Sequence, residues 1–434
     1  MERKFYKILT EWKNNPEKLS MVVRGARQIG KTYIIELFGK TEYKNYVYIN
    51  FEENPSYKEI FSGDLDIDTL TAEISLRVKN AHLEPGETLI FLDEIQSCPQ
   101  ARTALKFFTI SKKFDVVASG SLLGLNYKEV SSYPVGYVQE EKMHAMDFEE
   151  FLWAIGISKE TITYIQSFYE SSKKIPEQMN SKMLEYLRQY AVVGGMPQAV
   201  QSFINEHNYQ NVLMLQRNIL VNYQNDIAKY APVSEKTKAR ECFLSIPRQL
   251  AKENRKFQYG LVEKKGTARK FSGSLMWLYD AGIIDFCYNI NPPALPFNGN
   301  IVASSFKIYM HDIGLLCAML DDGTQKDIID DTLKIYKGAI YENLIADIFS
   351  KSGKTLYYYK KENSQSEIDF FIRYKGKAVP VEVKSGNRGT SSMDSLLKKP
   401  DFPLGIKLYN GNIGTADKKL TLPLYCAMFL NQNQ

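Results

Sequence analysis

Eight consecutive residues, Gly25-Ala26-Arg27-Gln28-Ile29-Gly30-Lys31-Thr32, restrict the fold of this chain more than any other stretch. They satisfy G-x-x-x-x-G-K-[ST], a pattern with chemical meaning only between a strand and a helix. Both flanks are present: Ser20 to Arg24 (SMVVR) reads as a buried strand and Lys31 to Phe38 as a helix. The glycines let successive backbone N–H groups curl toward one anion at a helix N-terminus, whose dipole also favours negative charge. Lys31 would reach the terminal phosphates of a nucleotide and Thr32 would give its hydroxyl to magnesium, so ATP and Mg are the expected cofactors. At average residue usage a chance match in a chain of this length is on the order of one in a hundred.

The surrounding third of the chain alternates apolar runs with helical patterns, as a parallel sheet covered by helices does. Tyr46 to Phe51, Thr88 to Leu92 and Asp115 to Ala118 read as further strands, and Leu70 to Val78 and Ala101 to Ser111 as helices. Thr88 to Leu92 ends in Asp93-Glu94. Beside a phosphate loop this pair acquires roles: Asp93 holds magnesium and Glu94 polarises the attacking water, making Glu94 and Lys31 the catalytic candidates. Asp115 to Ala118 runs into Ser119-Gly120-Ser121. In ATPases with a catalytic Glu, the strand inserted between the phosphate-loop strand and the acidic strand ends in a polar sensor of the terminal phosphate. Ser119 is the candidate, with Ser121 in reserve. The alternative is that both serines cap the next turn.

A length of 434 residues implies two or three cores. The expected division is an ATPase core over 1–145, a helical lid over 146–235, a winged-helix-like module and linker over 236–330, and an α/β domain over 331–434. Asp147 to Ile155 and Tyr209 to Tyr230 supply the helical signal of the lid, broken at Gly194-Gly195-Met196-Pro197. No apolar run approaches the ~20 residues that cross a bilayer, and the first fifteen residues interleave charges, so a cytoplasmic protein is expected. Five cysteines without C-x-x-C spacing read as reduced packing residues.

The chain resembles AAA-type ATPases that carry a C-terminal domain of unknown function. The resemblance lies in GARQIGKT, LDEIQ (Leu92 to Gln96), GSLLG (Gly120 to Gly124), PVGYV (Pro134 to Val138), MDFEEFLWAIG (Met146 to Gly156), VGGMPQAV (Val193 to Val200), DAGII (Asp280 to Ile284) and the late EIDFFI and VEVKSG. It implies an α/β architecture, with a P-loop parallel sheet, a helical lid, a winged-helix-like module and a C-terminal nuclease-like α/β domain. Relatives carry an Arg close to the position of Tyr137, so no arginine finger is assigned.

Glu367-Ile368-Asp369 on one strand, Glu382-Val383-Lys384 on the next and Glu342 on the preceding helix look like the PD-(D/E)XK nuclease pattern. Asp369, Glu382 and Glu342 would form a cation shell with Lys384 beside it. The alternative is a nuclease-like fold kept for binding, or a salt-bridged strand pair. Between Lys236 and Lys270 there are 11 basic residues against three acidic ones. The pattern there is a helix to about Ser245, a second near Arg248 and a third over Thr267 to Ala281, with Ala268, Phe271, Leu275, Leu278 and Tyr279 toward the core and Arg269, Lys270, Ser272 and Ser274 outside. A strand follows at Ile283 to Ile290. Lys264, Lys265, Arg269 and Lys270 stand where phosphate contacts would be made. Nucleic acid through residues 236–290 and an unidentified protein partner are the partner classes, and oligomerisation is left open. The functional readings are ATP hydrolysis driving or gating a C-terminal module, a nucleotide-gated nuclease, and an ATP-binding switch or scaffold.

Overall fold

Five parallel strands organise the first of two units, Met1–Ala145 and Met146–Gln434, in the computed structural model, which describes residues 1–120, 136–252, 255–334, 336–361, 366–386 and 389–431. In chain order the first unit runs α1 (Lys4–Lys13), β1 (Ser20–Arg24), α2 (Lys31–Glu42), β2 (Asn45–Asn50), α3 (Ile67–Arg77), β3 (Thr88–Asp93), α4 (Pro99–Ser111), β4 (Asp115–Gly120) and β5 (Val138–Lys142). The sheet order is β2-β3-β4-β1-β5 and every pairing is parallel. Strands buried on both faces need near-continuous apolar sequence, and all six residues of β3 (TLIFLD) are buried. Helices pack on the sheet through Leu70, Ile74, Leu105 and Phe108 against Val22, Ile49, Ile90 and Leu92. The Asp66 carboxylate starts α3 by accepting from the N–H groups of Asp68 and Thr69.

β4 lies between β1 and β3, with Arg24 opposite Gly120 and Leu92 opposite Ala118. The C-terminal ends of all three strands therefore stand side by side, which brings the loop 25–30, Asp93 and Ser119 to one edge.

The second unit begins with α5 (Phe148–Ala154), α6 (Lys159–Glu170), α7 (Glu177–Val193), α8 (Pro197–Glu206) and α9 (Tyr209–Tyr230). A capping box starts α5: Asp147 accepts from the Glu150 N–H while the Glu150 side chain accepts from the Asp147 N–H. Next come α10 (Lys236–Leu250), α11 (Tyr259–Val262), α12 (Ala268–Asp280), β6 (Ile284–Ile290), β7 (Ile301–Met310), α13 (Ile313–Ala318) and α14 (Thr324–Ile329). The chain continues with α15 (Lys337–Lys351), β8 (Leu356–Lys360), β9 (Glu367–Tyr374), β10 (Lys377–Lys384), α16 (Ser391–Leu397), β11 (Gly405–Tyr409), β12 (Gly414–Ala416) and β13 (Lys419–Pro423).

An eight-stranded mixed sheet, ordered β12-β13-β11-β10-β9-β8-β6-β7, gathers the eight strands found among the described residues of this unit. β6 pairs in parallel with β8, so the expected division at residue 330 crosses a continuous sheet. Three local expectations are corrected. The first helix of the basic region does not stop at Ser245 but runs through Pro247 to Leu250, and the next helix is the short Tyr259–Val262 rather than one near Arg248. On α12 the buried stripe is Phe271, Ser274, Leu275, Trp277 and Leu278, while Ala268 and Tyr279 are exposed. Ser274 is tolerated inside because its hydroxyl donates to Glu235 Oε2 at 2.5 Å. Near the end of the described residues β13 stops at Pro423 and a 3-10 helix takes over at Leu424.

α15 is buried from Ala339 through Lys351, and each of its ionic or amide side chains is accordingly partnered. Asn343 bridges the N–H and C=O of Met310 at 2.9 and 3.0 Å. Lys351 Nζ meets Asp347 at 2.8 Å and Asp312 at 3.1 Å, and Tyr190 donates to Asp347 at 2.7 Å. The same Asp312 accepts from the Gly195 N–H at 2.7 Å. A Cβ on Gly195 would lie 1.9 Å from the Met146 carbonyl oxygen, which explains a glycine there in the VGGMP stretch.

Candidate functional site

The loop 25–30 joins β1 to α2, and Gly30 takes φ 90° at the N-cap of that helix, a left-handed conformation that favours glycine. Ala26 and Ile29 are buried, and the Ile29 carbonyl accepts from the Arg3 guanidinium at 2.9 Å, pinning the loop to the chain just before α1. Arg27 approaches Glu52 at 4.0 Å, and Gln28 adopts φ 65°. Lys31 is 8% exposed and folds its ammonium back onto the carbonyls of Gly25 and Ala26, at 2.9 and 2.7 Å. Burial lowers its pKa to about 8, against the opposing pull of Glu94 and Asp93. Such an ammonium gains most from an incoming polyanion, because the loop carbonyls are weaker partners than phosphate.

Asp93 is the hub. Its Oδ2 accepts from Thr32 Oγ1 at 2.9 Å and from the Tyr48 hydroxyl at 3.1 Å, while its Oδ1 accepts from Ser119 Oγ and from the Glu94 N–H. Asn50 Nδ2 in turn donates to the Tyr48 oxygen at 2.9 Å. A hydroxyl and a carboxylate held together are hard oxygen donors of the kind magnesium takes while keeping waters, so the donor set fits that ion. Glu94 stands at φ 53° and ψ 43°, unusual for a residue with a Cβ. Burial raises its pKa, with Gln96 and Lys31 acting the other way. The sequence singled out Lys31, Thr32, Asp93, Glu94 and Ser119. It assigned no role to Arg3, Tyr48, Asn50 or Gln96, although Gln96 closes the LDEIQ motif and Tyr48 and Asn50 alternate along a strand whose neighbour carries Asp93. Ser121 lies outside the described residues.

The second charged cluster differs from its expectation. Glu382 and Asp369 do approach one cation, but it is the Lys384 ammonium, at 3.0 and 3.9 Å. Their remaining acceptors are also used: Glu382 takes the Met393 N–H at 2.9 Å and Asp369 the Val383 N–H at 2.8 Å. Glu342 is claimed by Lys307 at 3.0 Å, by the Tyr309 hydroxyl at 2.6 Å and by Arg255. Lys307, wholly buried, also meets Glu367 at 2.5 Å, which Lys360 approaches at 3.2 Å. Burial alone would raise the Glu367 pKa, yet Lys307 and Lys360 bring it below the usual carboxylate value. Among the described residues no three His, Cys, Asp or Glu side chains are arranged to hold a metal ion. The trio Glu342, Asp369 and Glu382 therefore does not fit a cation shell, because internal lysines and an arginine occupy its oxygens. Lys307 and Arg255 were invisible as cluster members in the sequence, lying 35 residues or more from Glu342.

In the basic region Lys264, Lys265, Arg269 and Lys270 are all exposed. Lys270 pairs with Glu263. The five cysteines are free and buried. Of the histidines, to which the sequence assigned nothing, His311 is buried against Asp285 with Nδ1 2.6 Å from its carboxylate. No helix among the described residues is long and apolar enough to cross a membrane.

Residues 17–152 match the family described as AAA domain, residues 184–326 a domain of unknown function (DUF8612) and residues 337–426 another (DUF4143). No curated protein matches the chain. Among solved structures it is similar to the Walker-type ATPase of Pyrococcus abyssi, with 13% identity and a TM-score of 0.44 over 73% of this chain and 95% of that one. Aeropyrum pernix ORC1 in complex with DNA gives 12% identity and a TM-score of 0.28 over 76% and 91%. AMPPCP-bound DnaA from Aquifex aeolicus gives 14% and 0.27 over 64% and 88%. The stretch that matches the AAA domain holds the phosphate loop, strands β1 to β5 and the Thr32–Asp93–Ser119 hydrogen bonds, so the first unit carries an AAA-type domain.

Proposed function

We propose that this protein hydrolyses ATP with magnesium and that its nucleotide cycle drives or gates the second unit on nucleic acid. The observation that carries the reading is the joining of Thr32, Asp93 and Ser119 through the Asp93 carboxylate, beside Lys31 and Glu94. Lys31 would exchange the loop carbonyls for the terminal phosphates. Thr32 and Asp93 would hold magnesium, which supplies charge neutralisation at the phosphates when bound. Ser119, already bonded to the magnesium-binding carboxylate, is suited to register whether the terminal phosphate is present. Glu94 would accept the proton of the attacking water.

Lys31→Ala is expected to weaken ATP binding by about tenfold or more, since a charge-assisted contact is worth about 1.5–3 kcal/mol. Titration with a fluorescent ATP analogue measures it. Wild-type affinity together with wild-type hydrolysis in that variant would remove the ATP-site reading.

Nucleic acid is favoured over a protein as the ligand of residues 236–290 because Lys264, Lys265 and Arg269 are exposed around the start of α12, with no salt bridge to a carboxylate of this chain among the described residues. A cluster of like charge is relieved most simply by a polyanion. Duplex binding should show weak sequence preference and a log-log salt slope of about −4 to −5, and replacing both Lys264 and Lys265 by Ala should reduce its magnitude by about two. An anisotropy titration that finds no duplex binding at low salt would leave a protein as the partner. The second cluster, with its carboxylates neutralised by Lys384, Lys307 and Arg255, supports a binding or structural role for the C-terminal sheet over metal-dependent cleavage.

A further inference from the structure

Gln96 follows Glu94 by two residues in one turn of 3-10 helix, Ile95–Ser97. Its Nε2 donates to Glu94 Oε2 at 2.5 Å. Its Oε1 is buried and has no hydrogen-bond partner among the described residues. A carboxylate only accepts, so the amide must turn its NH2 toward Glu94; flipping would set two acceptors against each other. The carbonyl oxygen is thereby fixed on the other arm of the same carboxamide, next to the residue placed as general base. A buried acceptor without a donor costs about 1–3 kcal/mol, and such atoms in a native site call for an explanation.

The donor that arrives with the reaction is the attacking water, which has two O–H bonds and one base to receive a proton. We infer that Gln96 is a positioning residue for hydrolysis, its NH2 holding the Glu94 carboxylate and its Oε1 accepting the second O–H of the attacking water. The inference rests on the ATPase reading with Glu94 as base. In the step it serves, a bond forms between the water oxygen and the terminal phosphorus. The bond from that phosphorus to the bridging oxygen breaks, its electron pair leaving with ADP. One water proton passes to Glu94, and the other stays on the new phosphate oxygen, hydrogen-bonded to Gln96. Fixing both O–H directions aims the lone pair of the water, the kind of orientation from which much of a phosphoryl-transfer enzyme's rate comes. It also gives a reason for the left-handed backbone at Glu94: the tight turn brings residues 94 and 96 within reach of each other.

The test is Gln96→Met, close in shape but lacking donor and acceptor, assayed for steady-state hydrolysis and for affinity toward a fluorescent ATP analogue. The expected result is kcat lower by ten- to a hundredfold with KM and analogue affinity within twofold of wild type. Gln96→Asn, which draws both groups back by one methylene, should fall between the two and serves if the Met variant folds poorly. Because Gln96 holds Glu94 as well as the water, the Glu94→Gln/Gln96→Met pair should lose clearly less than the product of the two single losses. An unchanged or raised kcat in Gln96→Met, a loss confined to nucleotide affinity, or multiplying losses in the pair would overturn the inference. Wild-type hydrolysis by Glu94→Gln would instead overturn the base assignment, and the role of Gln96 with it.

Discussion

Glu94→Gln is expected to lower the rate of ATP hydrolysis by on the order of a hundredfold or more while leaving ATP affinity near wild type. The amide keeps the size and one acceptor oxygen of the carboxylate but cannot take up a proton. Binding should survive because the groups proposed to face the phosphates and magnesium are others: Lys31, the loop N–H groups, Thr32 and Asp93. The Thr32–Asp93–Ser119 bonds do not pass through the Glu94 side chain. Steady-state hydrolysis and an analogue titration on the same preparation separate the two effects, and wild-type turnover would show that Glu94 is not the base. The stalled, ATP-bound protein would also be the best bait for a nucleotide-dependent partner.

Lys351→Met should destabilise the second unit by about 3–5 kcal/mol, the range for removing one member of a buried ionic network. Lys351 is wholly buried between Asp347 and Asp312 and touches the Tyr190 hydroxyl and the Met146 carbonyl. Without the ammonium, two carboxylates remain in the interior with only hydrogen bonds to support them. The penalty should depend on pH. Burial already raises the Asp347 pKa to about 6, opposed chiefly by Lys351, so the folded form holds a proton that the unfolded chain releases near 4. A raised acid pKa means stability that falls as pH rises through the window between the unfolded and folded values. Removing Lys351 lifts the folded value further and extends that fall upward, so the variant should lose less relative to wild type at pH 5 than at pH 8. Denaturant melts of both proteins at the two pH values measure this. A penalty equal at both, or larger at pH 5, would show that Asp347 does not depend on Lys351 for its charge.

Much of the candidate nucleotide site could be picked out because its chemistry is local. Lys31 and Thr32 sit one after the other at a helix N-terminus, and Asp93 and Glu94 follow an apolar strand. The parallel sheet was legible for a related reason: strands covered on both faces must be apolar throughout, and SMVVR and TLIFL have few other uses. Side chains that act across the fold were not legible. Tyr48 reaches Asp93 from 45 residues away and Arg3 reaches Ile29 from 26. Gln96 is close in sequence, yet its role depends on the left-handed turn at Glu94, which no residue type there demands.

The second unit draws the line most clearly. Glu342, Asp369, Glu382 and Lys384 could be picked out by residue type and strand alternation, since Glu382 and Lys384 two apart must share a face. Whether those carboxylates met a metal or the protein's own cations depended on what else was packed beside them. Lys307 enters from β7, a strand the sequence did not announce, and Arg255 from the segment after α10. Both arrive because the β6–β7 hairpin joins the C-terminal sheet at β8 rather than closing a module of its own. The sequence by itself determined the phosphate loop, the acidic strand end and the α/β class, because backbone geometry and burial patterns repeat over a few residues. Only the tertiary structure decided the charge balance around Glu342 and Lys351, because the cost of burying a charge is set by partners that strand order and helix packing bring in from dozens of residues away.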